Sequence, residues 1–94
     1  MVSARATISN RLGLHARPAM AFVVEASRFT AEITVRKAAD GSDGETVDGK
    51  SILQMLMLAG TCGTVIEITA HGDDEASAIE ALVRLVHSKF GEDE

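Results

Sequence analysis

Three segments of the chain alternate between apolar and polar residues with a period of two, which is typical of half-buried β-strands. They span residues 4–8, 31–36 and 64–71. Thr46 and Val47 follow a turn-forming cluster at 40–44 and predict a short return strand that forms a hairpin with 31–36. Because every strand has one apolar and one polar face, the pattern predicts an antiparallel sheet covered by helices on one side.

Three further segments carry apolar residues at helical spacing. The first runs from Pro18 to Arg28, and the second follows Ser51 as N-cap and continues to about Ala59. The third follows Asp73 as N-cap and ends at Gly91, which leaves residues 92–94 as a solvated tail. The predicted order is β-α-β-β-α-β-α, an α+β fold, and 94 residues are enough for one domain, 1–94.

Composition and charge exclude several classes of function. The net charge of −5 argues against nucleic-acid or anionic-membrane partners, and aromatic residues make up only 3% of the chain. A single cysteine, Cys62, excludes an internal disulfide, and no signal peptide or membrane-spanning run is present, so we expect a cytoplasmic protein. His71 and His87 lack partners at metal-ligand spacing and are interpreted as surface residues, so neither a metal site nor a cofactor is expected.

Positive charge is concentrated near the start of the chain. Residues 1–24 contain Arg5, Arg11 and Arg17 and no acidic residue, whereas seven acidic residues lie from Asp73 onward. A small anion would therefore be attracted to the N-terminal part.

His15 lies where this basic region passes from a loop into a helix. Pro18 is favoured in a first helical turn, so His15 is within about one turn of the helix start. Free backbone N–H groups at such a position bind anions, and the Arg17 guanidinium can bind phosphate with two hydrogen bonds. Since an imidazole is an available nucleophile near neutral pH, these residues predict a histidine that takes up a phosphoryl group. The alternative is a turn residue without chemistry.

Three motifs together resemble the HPr family, the histidine-containing phosphocarriers of the bacterial phosphoenolpyruvate:sugar phosphotransferase system. The family's active-centre motif is matched by residues 12–19, Leu-Gly-Leu-His-Ala-Arg-Pro-Ala. The segment around its regulatory serine is matched by residues 47–53, Val-Asp-Gly-Lys-Ser-Ile-Leu. The last motif is Gly-Asp-Asp-Glu-Ala at residues 72–76, before an amphipathic helix. They follow the family's order and cover nearly the whole chain.

The resemblance implies an open-faced β-sandwich with a four-stranded antiparallel sheet and three helices. It implies that enzyme I phosphorylates His15 on Nδ1, assisted by Arg17, with the amides of Ala16 and Arg17 facing the phosphoryl group. The group would then pass to an IIA domain of a sugar permease. Ser51 matches the serine that a kinase/phosphorylase can phosphorylate in the family. The chain departs from the family at the hairpin tip, residues 38–45, which is longer than in typical members.

The second predicted helix has more apolar residues than one buried stripe requires, six of the seven at positions 52–58. If Met55 and Leu58 face the core, several apolar side chains on the first two helices point outward and predict a docking surface beside His15. These are Met20, Val24, Ile52, Leu53 and Leu56. The alternative is that neighbouring loops cover them.

Three alternative functions remain at this stage. One is a carrier of the nitrogen-related phosphotransferase branch, which shares the His15 motif and passes phosphate to a regulatory IIA protein. Another is an interaction module without phosphotransfer, although purely regulatory relatives replace His15. A ferredoxin-like small-molecule-binding domain is disfavoured by the additional terminal helix. We expect a monomer.

Overall fold

The computed structural model describes residues 1–38, 46–58 and 60–92. The strands and helices follow the predicted order β-α-β-β-α-β-α. The strands are β1 (Val2–Thr7), β2 (Glu32–Lys37), β3 (Val47–Asp48) and β4 (Val65–His71). The helices are α1 (Ala16–Ala26), α2 (Ile52–Met57) and α3 (Glu75–His87), and a short 3₁₀ turn follows at Lys89–Gly91. None of the helices in the described residues is long and apolar enough to cross a membrane.

The four strands form one antiparallel sheet in the order β1-β4-β2-β3. β4 lies between β1 and β2, so that Ala70 pairs with Val2 on one side and with Ile33 on the other. β3 extends the edge of β2, with Val47 opposite Val35. Of the hairpin tip predicted at 38–45, only Ala38 belongs to the described residues.

The alternating residues point as the sequence predicts, with the apolar side chains inward. The core combines inward residues of the sheet with one stripe from each helix. Its fully buried members include Val35, Ile66, Ile68, Phe22, Met55, Leu82 and Val86. The opposite face of the sheet is polar, and there Glu67 pairs with Arg36 at 2.8 Å and with Arg5 at 3.7 Å. Arg5 therefore lies on the polar face of the sheet, where it shares the Glu67 carboxylate with Arg36.

The start of α3 differs from its prediction by one residue. Asp74, and not Asp73, occupies the N-cap position, and its carboxylate does not cap the helix. Instead the carboxylate accepts hydrogen bonds from the backbone N–H groups of Thr30 (2.9 Å) and Ala31 (2.8 Å). The hydrogen bond from Thr30 holds the pKa of the Asp74 carboxyl below its ordinary value. This contact fastens α3 to the start of β2.

The loop that carries His15 is held by a close backbone approach. Gly13 has a φ of +67°, and the neighbouring Leu14 N–H donates to the Gly60 carbonyl at 2.7 Å. A Cβ at position 13 would lie 2.4 Å from that same carbonyl oxygen. The loop can therefore reach this position only with glycine there.

We predict that Gly13→Ala lowers the free energy of unfolding by about 1–3 kcal/mol, because the alanine meets both an unfavourable φ and a backbone clash. Gly63→Ala is the matched control, since Gly63 also has a positive φ but its Cβ would meet nothing within 4 Å. Urea unfolding followed by far-UV circular dichroism measures both. Equal losses in the two variants would contradict a role for the close approach.

Candidate functional site

His15 is the N-cap residue of α1. Its backbone is extended, with φ −83° and ψ −170°, and its carbonyl accepts the Ala19 N–H at 3.0 Å. The imidazole makes no capping hydrogen bond, and 36% of the side chain is exposed. The ring is thus held at the helix start, yet solvent and a partner can reach it.

The first turn of α1 presents free hydrogen-bond donors next to this ring. In the described part of the chain the backbone N–H groups of Ala16 and Arg17 have no partner, and Pro18 has no N–H. The Arg17 side chain is exposed and forms no hydrogen bond or ion pair among the described residues. Two amides, the positive end of the helix dipole and a guanidinium are available to an anion here.

A carboxylate from the far end of the chain contacts the imidazole. The Nε2 atom of His15 lies 3.1 Å from Oε2 and 3.3 Å from Oε1 of Glu92. The prediction of a solvated tail at 92–94 is wrong for Glu92, which is half-buried. Asp93 and Glu94 lie outside the described residues.

An unusual backbone path brings Glu92 to this position. Lys89, Phe90 and Gly91 all have positive φ, at 60°, 57° and 82°. The Phe90 side chain is buried in the core, and the Glu92 N–H donates to the Lys89 carbonyl at 2.9 Å. The sequence places Phe90 on a helix ending at Gly91, but α3 ends at His87 and the following turn reverses the chain toward His15.

Asn10 connects the His15 loop to the tail. It is fully buried, and its Nδ2 donates to the Gly13 carbonyl at 2.7 Å and to Oε1 of Glu92 at 3.0 Å. Its Oδ1 has no partner among the described residues. Sequence reasoning missed both Asn10 and Glu92, because an asparagine in a loop and a glutamate in an acidic terminus have no local pattern that indicates a site.

Ser51 caps α2, as the sequence predicts. Its Oγ accepts the Gln54 N–H at 3.3 Å, and the Gln54 side chain in turn accepts the Asp48 N–H at 2.8 Å. The serine is half-buried at the start of the helix. Regulation by its phosphorylation stays a prediction.

Six large apolar side chains of the His15 loop, α1 and α2 are exposed, and we call them the apolar surface: Leu12, Met20, Val24, Leu53, Leu56 and Met57. The exposure of Met20, Val24, Leu53 and Leu56 was expected. Ile52 corrects the prediction, because it is half-buried and packs against the core. Sequence reasoning missed Leu12 and Met57. α1 and α2 pack against each other.

The described residues hold no group of three histidine, cysteine or acidic side chains that could bind a metal ion. Cys62 is exposed and free.

An exposed imidazole at a free helix N-terminus, on an open sheet covered by three helices, is the arrangement expected of a histidine phosphocarrier. The family model described as "PTS HPr component phosphorylation site" matches residues 2–88. The chain belongs to this family, the HPr phosphocarriers of the phosphotransferase system.

Individual relatives agree with this assignment. The phosphocarrier protein HPr of Neisseria meningitidis is 46% identical over 87 residues, which cover 93% of this chain and 92% of the relative. The HPr-like protein Crh of Halalkalibacterium halodurans is 39% identical over 89 residues, which cover 95% of this chain and 100% of that relative. A crystal structure of HPr from Thermoanaerobacter tengcongensis superposes with a TM-score of 0.88 at 44% identity, over 100% of both chains. The predicted open-faced β-sandwich is confirmed.

Proposed function

We propose that this chain accepts a phosphoryl group from enzyme I on His15 and passes it to an IIA domain of a sugar permease. The observation that carries the proposal is the half-exposed imidazole beside two unpaired amides, those of Ala16 and Arg17. A buried ring or a fully hydrogen-bonded helix start would have no place for a phosphoryl group.

In the proposed chemistry, His15 first takes the phosphoryl group from a donor protein and then gives it to an acceptor protein. A lone pair of the imidazole forms a bond to phosphorus, while the bond from phosphorus to the donor protein breaks and its electron pair stays with the donor. The amides of Ala16 and Arg17 and the Arg17 guanidinium stabilise the oxygens of the transferred group. The phosphorylated ring then gives the group to the acceptor in the same manner.

The apolar surface supplies the contact with partner proteins in this proposal. It extends over the His15 loop and two neighbouring helices, and soluble domains seldom leave such side chains clustered without a binding role. A partner seated on it would exclude water from the transferring group. We include Met20, Leu53 and Leu56 as docking residues, and Ile52 as a half-buried residue at the edge of this surface.

Regulation through Ser51 follows from the same surface. A phosphate on this serine would add about two negative charges at the start of α2, beside the exposed Leu53. An apolar or acidic partner would then bind more weakly, so a kinase/phosphorylase acting on Ser51 would slow transfer. Cytoplasmic location and a monomeric state complete the proposal. The nitrogen-branch carrier stays the alternative, and the identity of the IIA acceptor distinguishes the two.

The first test is phosphorylation itself. We expect enzyme I and radiolabelled phosphoenolpyruvate to give this protein an acid-labile, base-stable label, because phosphohistidine has that stability. His15→Ala should remove the label, whereas the matched variants His71→Ala and His87→Ala should retain it. A label that persists without His15, or wild-type protein that takes none, would reject the proposed carrier role.

The second test concerns the apolar surface. We predict that Leu53→Glu raises the KM of enzyme I for this protein about fivefold or more, because a charge enters the docking contact. The fold should persist, since Leu53 is exposed. Ala76→Glu adds the same charge on α3 and is the control. Unchanged transfer kinetics in the Leu53 variant would dismiss docking at this surface.

The third test uses Ser51→Asp, which keeps a capping oxygen and adds a negative charge. We predict slower transfer from enzyme I and unchanged secondary structure by circular dichroism. Ser51→Ala is the control, because it removes the cap without adding charge and should transfer at a nearly normal rate. If the aspartate variant transfers as fast as wild type, Ser51 serves α2 only as its cap.

A further inference from the structure

We propose that Glu92 is a positioning residue for His15: its carboxylate selects the ring tautomer that leaves Nδ1 as the nucleophile and balances the charge of the phosphorylated ring. The proposal rests on the phosphocarrier function proposed above. It joins an acid near the end of the chain to the imidazole at the start of α1, across 77 positions of the sequence.

The hydrogen-bond geometry determines the tautomer. An ionised carboxylate can only accept hydrogen bonds, and both of its oxygens lie within 3.3 Å of Nε2 of His15. Nε2 must therefore carry the ring proton when the imidazole is neutral. The lone pair then lies on Nδ1, which has no hydrogen-bond partner among the described residues. The contact therefore accounts for a lone pair on Nδ1, the atom that the family resemblance implies as the nucleophile.

The same contact fits the charge change during transfer. When the Nδ1 lone pair bonds to phosphorus and the bond to the donor breaks, the ring keeps its Nε2 proton and becomes a cation. The Glu92 carboxylate faces that cation directly, so no proton has to move in the step. Because an imidazole that acts as a nucleophile carries no net charge, the carboxylate stabilises the product side more than the starting state.

The surrounding residues fix this carboxylate in place. Asn10, which is fully buried, donates to Oε1 of Glu92 at 3.0 Å and to the Gly13 carbonyl at 2.7 Å. The three left-handed residues at Lys89–Gly91 and the buried Phe90 side chain direct the backbone to this point. Bulky residues with positive φ are costly, and such strain persists where the surrounding structure holds it.

The test measures the tautomer and the transfer rate in Glu92→Ala. Long-range ¹H–¹⁵N correlation spectra, recorded where the ring is neutral, should show wild-type His15 as the Nε2–H form alone, with His71 and His87 as internal references. The variant should shift toward a mixture of the two tautomers. Its phosphorylation by enzyme I should slow about threefold to tenfold, the range for loss of a partly exposed charged hydrogen bond.

Glu80→Ala is the matched control, because it removes the same charge from an exposed position on α3. Both measurements should be unchanged in that variant, and urea unfolding should show that Glu92→Ala is folded. An unchanged tautomer in Glu92→Ala would overturn the proposal. Faster transfer in this variant would also overturn it, because Glu92 would then slow the reaction. Wild-type protein that takes no label from enzyme I would reject the proposed carrier function, whereas the spectra would still decide the tautomer assignment.

Discussion

The site depends on the backbone tie that holds the His15 loop to the segment before β4. The Leu14 N–H reaches the Gly60 carbonyl, and Gly13 allows this approach because a side chain there would collide with the same oxygen. Leu14 is buried at this contact. His15 follows it directly and has the extended backbone of the N-cap residue of α1. This contact fixes the loop next to His15, and the amides that follow are free because the first N–H groups of a helix have no intrahelical partner.

Two opposite electrostatic requirements meet at this imidazole. A phosphoryl group needs donors and positive charge, which the start of α1 supplies through Ala16 and Arg17. A phosphorylated ring is a cation and needs negative charge nearby, which Glu92 supplies at Nε2. The two requirements are compatible because the phosphoryl group binds to Nδ1 in the proposal, whereas the Glu92 carboxylate contacts Nε2. The buried Asn10 side chain donates a hydrogen bond to the Glu92 carboxylate and so holds it at the Nε2 atom of the ring.

The sequence was sufficient to predict the features that repeat along the chain. Alternation and helical spacing predicted the element order and the inward residues, and the residues around His15 predicted a helix start with free backbone N–H groups. What it missed depends on tertiary contacts. Phe90 fits a helical stripe yet has left-handed backbone, because burial of its side chain overrides local preference. Asp74 binds two amides of another segment, and Glu92 approaches a residue far away in sequence, and neither contact has a local signature.

The short helix α2 carries more apolar side chains than it buries. A helix of six residues is not stable alone, so α2 is held mainly by packing, with Met55 buried in the core, and the Ser51 cap adds to its stability. Leu53, Leu56 and Met57 contribute little to folding because they remain exposed to solvent. In the function proposed above, contact with partner proteins explains these exposed apolar side chains better than packing does. Ser51 lies at the start of α2, next to the exposed part of that helix, so the proposed effect of a charge on this serine is weaker docking of a partner and not unfolding of the protein.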